Sequence, residues 1–169
     1  MTADPSGTEE PSPYERTLAE LEARTGELMK AGWQVATVPA AHVTAEPPDA
    51  GDSDRFGYVY VAPGSAEEPF REAFEAGTFD AFELFRRTVG GTEFLLTELT
   101  DPEGEVAILL AGGVGNGDRE AVRRAAEAEG AMYTHVQLLD YTHLGSFRHD
   151  PGPFFDAGNG RGNGGRDDG

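Results

Sequence analysis

The side chains best suited to chemistry in this sequence are concentrated between Met132 and Asp150, near the C-terminal end. This stretch contains three of the four histidines of the chain, His135, His143 and His149. Near neutral pH, an imidazole ring can serve as a general base, a metal ligand or a hydrogen-bonding group. The stretch therefore predicts either a binding site or a catalytic site.

The spacing of these side chains indicates that several of them share one face of a strand. The tripeptide Tyr-Thr-His occurs at 133–135 and again at 141–143. Side chains an even number of residues apart lie on the same face of a strand. We predict a strand over 131–141 whose polar and aromatic face binds a small molecule or a partner protein. The predicted ligand-binding residues are Tyr133, His135, Gln137, Tyr141, His143, Arg148 and His149.

A metal-assisted hydrolase is the alternative function that this stretch supports. His143 and His149 could approach each other because Gly145 permits a turn between them, and Asp140 or Asp150 would complete the set. The segment HLGSFRH matches no established metal-ligand motif, so no metal site is assigned and the cofactor stays undetermined. A structural role, in which these side chains bond to neighbouring strands and fill a half-buried sheet face, remains open as well.

A glycine-rich segment, Gly112–Gly117, lies between an apolar run and a helical pattern. Backbone amides at such a position can hold a phosphate group. The glycine spacing fits neither common phosphate-binding pattern, and Asp118 and Glu120 in the following turn would repel an anion. We interpret this segment as a flexible connection.

Three further polar residues could matter, Ser146 after the last predicted strand and an arginine pair on an earlier one. Ser146 lacks the G-x-S-x-G surroundings of an activated nucleophile, so nucleophilic catalysis has little support. Arg86 and Arg87 are adjacent on a strand, and their side chains must therefore point to opposite faces. We expect at least one of them to form an ion pair, with Glu98 across a hairpin as its partner.

The elements that must position these residues have clear local signals. Ser12 and Glu15 form an S-x-x-E capping box, Pro13 suits a first helical turn, and apolar residues follow at helical spacing. Gly90 and Gly91 separate two apolar runs and predict a tight hairpin turn, because glycine accepts the positive φ angles of such turns.

The predicted order of elements is α-β-β-α-β-β-β-α-β, with residues 40–55 as a loop. Two tight reversals require antiparallel neighbours, so the predicted fold class is α+β. We expect one domain, with a mainly antiparallel sheet of about six strands and helices on one face. The domain is predicted over residues 13–150, between a disordered acidic N-terminus (1–12) and a disordered Gly/Asp/Asn-rich tail (151–169).

The whole chain is strongly acidic. It has 31 acidic and 13 basic residues, Lys30 is its sole lysine, and its formal net charge is −18. Such a composition suits concentrated salt, where a Debye length of roughly 3 Å at 1 M screens self-repulsion. We predict a cytoplasmic protein of a salt-accumulating cell. The acid excess argues against a nucleic-acid partner, since binding to nucleic acids depends on Lys and Arg contacts with phosphates.

Several classes of protein are excluded by what the sequence lacks. No apolar run approaches the roughly 18 residues that a membrane span needs, and the N-terminus does not have the pattern of a signal peptide. The chain has no cysteine, which excludes disulfides and thiolate chemistry. For the assembly, we consider a homodimer formed through an exposed edge strand or through the helix over Tyr14–Leu28.

Two segments of the chain carry a resemblance to a known family. They are THVQLLDYTHLGSFRHD at 134–150, followed by Pro153-Phe154-Phe155, and TELTDPEGEVAILLAGGV at 97–114. Over roughly Tyr14–Phe155 the chain resembles a family of uncharacterised haloarchaeal proteins. The resemblance implies a haloarchaeal source and a cytoplasmic location. It implies no activity, cofactor or catalytic residue.

Overall fold

The computed structural model describes residues 10–40, 42–48, 55–156 and 160–167. Its α-helices are α1 (Pro13–Lys30), α2 (Glu67–Ala76), α3 (Arg119–Glu129) and α4 (Gly152–Phe155), and a 3₁₀ turn spans Gly64–Ala66. Its strands are β1 (Gln34–Pro39), β2 (His42–Glu46), β3 (Gly57–Ala62), β4 (Ala81–Val89), β5 (Thr92–Asp101), β6 (Val106–Gly115), β7 (Met132–Leu138), β8 (His143–His149) and β9 (Gly160–Arg166). The N-terminal segment predicted to be disordered falls mostly outside the described residues. No helix in the described ranges is long and apolar enough to cross a membrane.

Eight of the strands form a closed barrel. Their order is β6-β2-β3-β7-β8-β9-β4-β5, and β5 pairs with β6 to complete the ring. Strand β1 is additional and pairs in parallel with β6. The pairs β2–β6 and β3–β7 are also parallel, while the other pairs in the ring are antiparallel.

The predicted fold class, a mainly antiparallel sheet of about six strands with helices on one face, is therefore wrong. The described residues contain three strands that the prediction lacked. Strand β2 lies inside the predicted loop, the predicted strand over 131–141 is replaced by β7 and β8, and β9 lies in the predicted tail. The additional strands complete a closed ring, so α1 packs on its outer surface and α2 on its inner core, instead of all helices lying on one face of an open sheet.

The first helix forms as its sequence predicts. The Ser12 side chain accepts a hydrogen bond from the amide of Glu15, whose side chain in turn accepts one from the amide of Ser12. Leu21 and Leu28 on the buried face of α1 pack against Leu109, which points outward from β6. The apolar face of α1 is thus used to cover one side of the barrel.

A buried ion pair fixes α1 to the barrel wall. The Arg24 guanidinium donates to both carboxylate oxygens of Glu98, at 2.7 and 3.0 Å, and Glu98 is only 2% exposed. The predicted pairing of Glu98 with Arg86 or Arg87 is wrong. Glu98 points outward beneath α1, whereas Arg86 points toward the barrel interior, and Arg87 lies 3.5 Å from Glu20 of α1.

The interior of the barrel is filled by side chains rather than by an open channel. Alternate residues of each strand point inward, as strand geometry requires. Inward residues that are at most 1% exposed include Tyr58, Leu84, Leu95, Ile108 and Phe147. Helix α2 contacts β1, β6 and β8 and places its apolar face on the same core.

A tight turn explains why β7 and β8 are separate strands. The Asp140 side chain accepts a hydrogen bond from the amide of Thr142 at 3.0 Å, and the amide of Tyr141 donates to the carbonyl of Leu138 at 2.9 Å. Tyr141 adopts a left-handed conformation with φ of 72°. An aspartate that bonds to the backbone two residues later favours such a reversal.

The C-terminal segment closes the barrel. The sequence predicted a disordered tail from residue 151, and in the structure α4 is followed by β9, which pairs with both β4 and β8. Four of the seven residues of β9 are glycines. A Cβ atom at Gly164 would lie 3.2 Å from the carbonyl carbon of Arg148 and equally close to Cα of His149. Glycine therefore allows β9 to approach β8 closely.

Candidate functional site

The residues predicted to share one strand face do not all lie together. Tyr133, His135 and Gln137 point outward from β7, as predicted. His143 joins them from β8, because Leu144 forms a β-bulge that brings His143 opposite Gln137. We call the outward group formed by Tyr133, His135, Gln137, His143 and Ser146 the histidine face.

The other three predicted ligand-binding residues do not belong to the histidine face. Tyr141 lies in the turn after β7 and is 81% exposed. Arg148 is exposed at the end of β8. His149 points into the barrel and is 2% exposed. The single strand assumed for this stretch reverses direction at Tyr141, and the bulge changes the side to which His143 points.

Hydrogen bonds fix the protonation pattern of the histidine face. Nε2 of His135 lies 2.9 Å from the carbonyl oxygen of Phe56, which only accepts, so Nε2 carries the proton. Ser146 therefore donates its hydroxyl hydrogen to Nδ1 of His135, over 2.7 Å. The same Ser146 oxygen accepts from Nε2 of His143 at 3.2 Å. One serine thus bridges two neutral imidazoles.

Burial of His135, partial burial of His143 and nearby positive charge favour the neutral form of both imidazoles. Burial lowers the pKa of His135, and the charges of Arg55 and His143 lower it further. Burial also lowers the pKa of His143, with Arg55 again adding to the effect. The Arg55 side chain donates to Glu46 at 3.0 Å and to Gln137 at 3.3 Å. Arg55 is therefore held next to both rings.

A cleft of about 270 Å³ adjoins the histidine face. It is lined by Arg55, Phe56, Glu129, Tyr133, His135 and Asp167. The Tyr133 ring meets Phe56 edge-on at 5.2 Å and stacks on His135 at 6.3 Å. The cleft offers aromatic surface and charges of both signs to a polar group.

The histidines of the predicted hydrolase do not converge. His149 bonds through Nε2 to Thr134 at 3.0 Å, inside the barrel, while His143 lies on the outer surface. Burial lowers the pKa of His149 to about 3. Asp140 is exposed in the turn, and Asp150 accepts from the amide of Asn163 at 2.9 Å. The described residues include no group of three or more His, Cys, Asp or Glu placed to hold a metal.

A second group of buried and partly buried charged residues lies at one end of the barrel. A cavity of about 360 Å³ opens there beside residues from β3, β4, β5, α3 and α4. We call this opening the arginine mouth. The residues that define it are Tyr58, Arg86, Glu93, Arg119, Arg123 and Phe154.

Two arginines share one carboxylate at the base of the arginine mouth. Nη1 of Arg86 donates to Oε2 of Glu93 at 3.1 Å and to the carbonyl oxygen of Phe154 at 3.0 Å. Nη1 of Arg119 approaches the other oxygen of Glu93 at 3.6 Å. Glu93 is 6% exposed. The Nε hydrogen of Arg119 is buried and meets no acceptor among the described residues.

The charges around the cavity leave a positive surplus. Arg86 and Arg119 face the single carboxylate of Glu93, which gives this group a formal charge of +1. At the rim, Arg123 pairs with Glu120 at 2.6 Å and with Glu127 at 3.2 Å. Burial, followed by the nearby Glu93, raises the pKa of Tyr58, so its phenol stays neutral. The arginine mouth can therefore hold an anion between charged and aromatic groups.

The sequence contained a signal for the pairing of Arg86 with Glu93, although Glu98 was the predicted partner. Arg86 has the same strand parity as Leu84, and Glu93 has the same parity as Leu95. Both arms of the β4–β5 hairpin therefore place a charged residue among inward-pointing apolar ones, which marks a buried charge pair. Arg119 follows the glycine-rich segment, most of which belongs to β6 in the structure.

Comparison with known proteins gives one match. No curated protein and no solved structure matches the chain. The model of a family of unknown function (DUF7529) matches residues 2–156, which include α1 to α4 and β1 to β8. The match ends before β9 begins. This chain belongs to the family of unknown function DUF7529.

Proposed function

We propose that this protein binds a small organic anion in the arginine mouth. The observation that carries the proposal is the pair Arg86 and Arg119, which converge on the buried carboxylate of Glu93 beside an open cavity. A guanidinium is suited to carboxylate and phosphate groups because its N–H donors lie in one plane and in fixed directions.

The buried donor of Arg119 supports this proposal. A buried donor without an acceptor costs about 1–3 kcal/mol, and a ligand oxygen would remove that cost on binding. The Arg119 Nε hydrogen is in this situation within the described part of the chain. The cavity, at about 360 Å³, is within the roughly 300–1,000 Å³ of small-molecule sites.

Binding is proposed rather than a reaction because of the side chains around the cavity. The described residues that line it include no histidine, serine or threonine that could form a nucleophile and base pair. Its arginines, tyrosine and phenylalanines are binding groups. We also propose that the protein works in the cytoplasm of a haloarchaeal cell, which the acid excess and the single lysine support.

The test compares Arg119→Gln with Arg161→Gln, a change at an arginine whose side chain is 82% exposed and lies away from the cavity. Isothermal titration calorimetry at fixed KCl would use benzoate, phenylacetate, phenyl phosphate and inorganic phosphate. We expect at least one anion to bind, and Arg119→Gln to weaken it about tenfold or more, because a charge-assisted bond contributes about 1.5–3 kcal/mol. Equal affinity in the two variants, or no binding by any anion, would refute the proposal.

A second candidate function is recognition of a polar ligand or a partner protein at the histidine face. The cleft beside Tyr133 and His135 favours it. Tyr133→Ala removes the ring that lines this cleft, while Tyr141→Ala removes an exposed ring outside it. NMR shifts of the β7 amides on addition of imidazole, acetate or glycerol would report binding. The candidate fails if no shifts occur, or if both variants show the same shifts.

A further inference from the structure

We infer that Glu93 makes the arginine mouth selective for singly charged carboxylates over doubly charged phosphates. This inference rests on the proposed function and names the class of ligand. It concerns the balance of charge at the base of the cavity, where Arg86 lies 3.1 Å and Arg119 3.6 Å from the carboxylate of Glu93.

The buried group at the base of the cavity has a formal charge of +1, from two guanidinium groups and one carboxylate. Of the other charged side chains that line the cavity, Arg123 pairs with Glu120 at 2.6 Å, and also with Glu127, outside the lining, at 3.2 Å. A singly charged ligand therefore brings the described cavity residues to zero. A doubly charged ligand leaves an excess of one negative charge. Burying an unbalanced charge is costly because water no longer solvates it.

The two arginines at the base of the cavity differ in the hydrogen-bond donors that they can offer to a ligand. Nη1 of Arg86 already donates to Glu93 and to the carbonyl oxygen of Phe154. Arg119 has a buried Nε hydrogen that meets no acceptor in the described ranges, and its contact with Glu93 is an ion pair at 3.6 Å. A planar carboxylate can accept two parallel N–H groups from one guanidinium. The Arg119 side chain is thus the anchor for one carboxylate group.

Aromatic rings form an apolar surface next to Arg119. Tyr58 and Phe154 are each 1% exposed, and their rings meet at 6.1 Å beside the cavity. Phe155 lines the cavity next to them. Such rings pack against a flat apolar body. A small aromatic or unsaturated carboxylate fits this combination of one charge and one apolar wall.

The experiment compares benzoate with phenyl phosphate, which share a ring and differ in charge. Calorimetry at pH 8 and fixed KCl should show benzoate binding at least tenfold more tightly, because phenyl phosphate then carries two charges. Lowering the pH to about 5 adds a proton to the phosphate, whose second pKa is about 6. The affinity of phenyl phosphate should then rise relative to that of benzoate, which keeps one charge at both pH values.

Glu93→Gln removes one negative charge from the base, and Glu75→Gln makes the same change at an exposed residue that does not line the cavity. We expect Glu93→Gln to shift the ratio of affinities at pH 8 at least tenfold toward phenyl phosphate, and Glu75→Gln to leave that ratio within about twofold. If wild-type protein binds both anions equally at pH 8, or prefers phenyl phosphate, the inference is wrong while the proposed function stands. If no anion binds, the proposed function falls as well. If Glu93→Gln does not fold, the affinities of wild-type protein for benzoate and phenyl phosphate at pH 8 and pH 5 still test the inference.

Discussion

Two glutamates of β5, Glu93 and Glu98, are almost wholly buried, and arginine holds both. Glu98 faces outward and makes two short bonds with a single arginine, Arg24, so its charge is matched within the structure. Glu93 faces inward and is shared by two arginines, which leaves a positive surplus beside a cavity. Similar residues on one strand thus have different surroundings, and only the second lies beside the cavity that we propose binds an anion.

The Arg24–Glu98 pair should contribute measurably to stability. Arg24→Ala would leave the buried Glu98 carboxylate without its partner. Breaking a buried pair costs about 3–5 kcal/mol, and we expect roughly 2–3 kcal/mol here because the Arg24 side chain is 40% exposed. Urea unfolding at constant KCl would measure the free energy of unfolding.

Arg16→Ala is the matched control, since Arg16 pairs at 3.4 Å with Glu10, whose side chain is 83% exposed. An exposed pair contributes about 0–1 kcal/mol. Adding Glu98→Gln to Arg24→Ala should recover part of the lost stability, because it removes the unpaired charge. Equal losses for Arg24→Ala and Arg16→Ala would show that the buried pair is not a structural clamp.

His149 should make the protein sensitive to acid. Its pKa is lowered from 6.5 to about 3 by burial, so between these values the unfolded chain binds a proton that the folded chain does not. Stability is therefore fullest above about pH 6.5 and decreases as the pH falls toward 3, by at most about 1.4 kcal/mol per pH unit for one proton. His149→Phe should reduce this slope by about one proton. Urea unfolding between about pH 5 and pH 7.5 would measure it.

His42→Phe, at an exposed histidine of β2, is the control for this prediction. The lowered pKa values of His135 and His143 act in the same direction, so the slope should persist in part after His149→Phe. The absolute stability of His149→Phe should also fall, because Thr134 loses its bond partner. An unchanged slope would mean that His149 is not held neutral by burial.

Among the elements, β9 connects the two edges of the sheet mainly through its backbone. Four of its seven residues are glycines, so few side chains add packing energy. Its amides and carbonyls pair with β4 on one side and with β8 on the other. Such a strand depends on close backbone approach, and a single methyl group at the wrong position should disturb it.

Gly164→Ala and Gly165→Ala make the same change at adjacent positions of β9. A Cβ at Gly164 would meet the Arg148 backbone at 3.2 Å or less, while at Gly165 the nearest atom, the Thr78 carbonyl oxygen, is 3.8 Å away. We expect Gly164→Ala to destabilise the protein by about 1–3 kcal/mol and Gly165→Ala to be neutral or slightly stabilising. Hydrogen exchange of the β8 and β9 amides, together with urea unfolding, would measure both effects. Similar results for the two variants would contradict the proposed register of β9.

Elements with strong local sequence signals could be predicted from the sequence. Elements whose structure depends on pairing with neighbouring strands could not. The capping box of α1 and the hairpin turn are confirmed, with φ angles of 57° and 86° at Gly90 and Gly91. Strand β9 has no apolar alternation, because its pairing is imposed by β4 and β8. The sequence predicted part of the histidine face. The bulge at Leu144 and the burial of His149 depend on the pairing register between strands, which a single sequence does not show.

On the scale of the whole molecule, a formal charge of −18 surrounds a small site with a surplus of +1. In dilute salt, the field of the acidic surface would weaken anion binding at the arginine mouth. At about 1 M salt the Debye length is roughly 3 Å, so distant carboxylates are screened and direct contacts decide the affinity. We therefore expect concentrated salt to favour both the stability of the barrel and the proposed binding of an anion at the arginine mouth.

The salt dependence of stability should therefore follow the surface charge. We expect the free energy of unfolding to fall as KCl is lowered from about 3 M to 0.1 M, because repulsion among carboxylates grows as the Debye length rises from about 3 Å or less to about 10 Å. A variant with Glu22, Glu72, Glu75 and Glu103 changed to Gln has a formal charge of −18 plus 4, or −14. All four residues are exposed, so their packing should not change. The variant should lose less stability than wild type over the same range of KCl, as measured by thermal unfolding. An identical salt dependence would show that repulsion among these carboxylates does not govern how stability changes with salt.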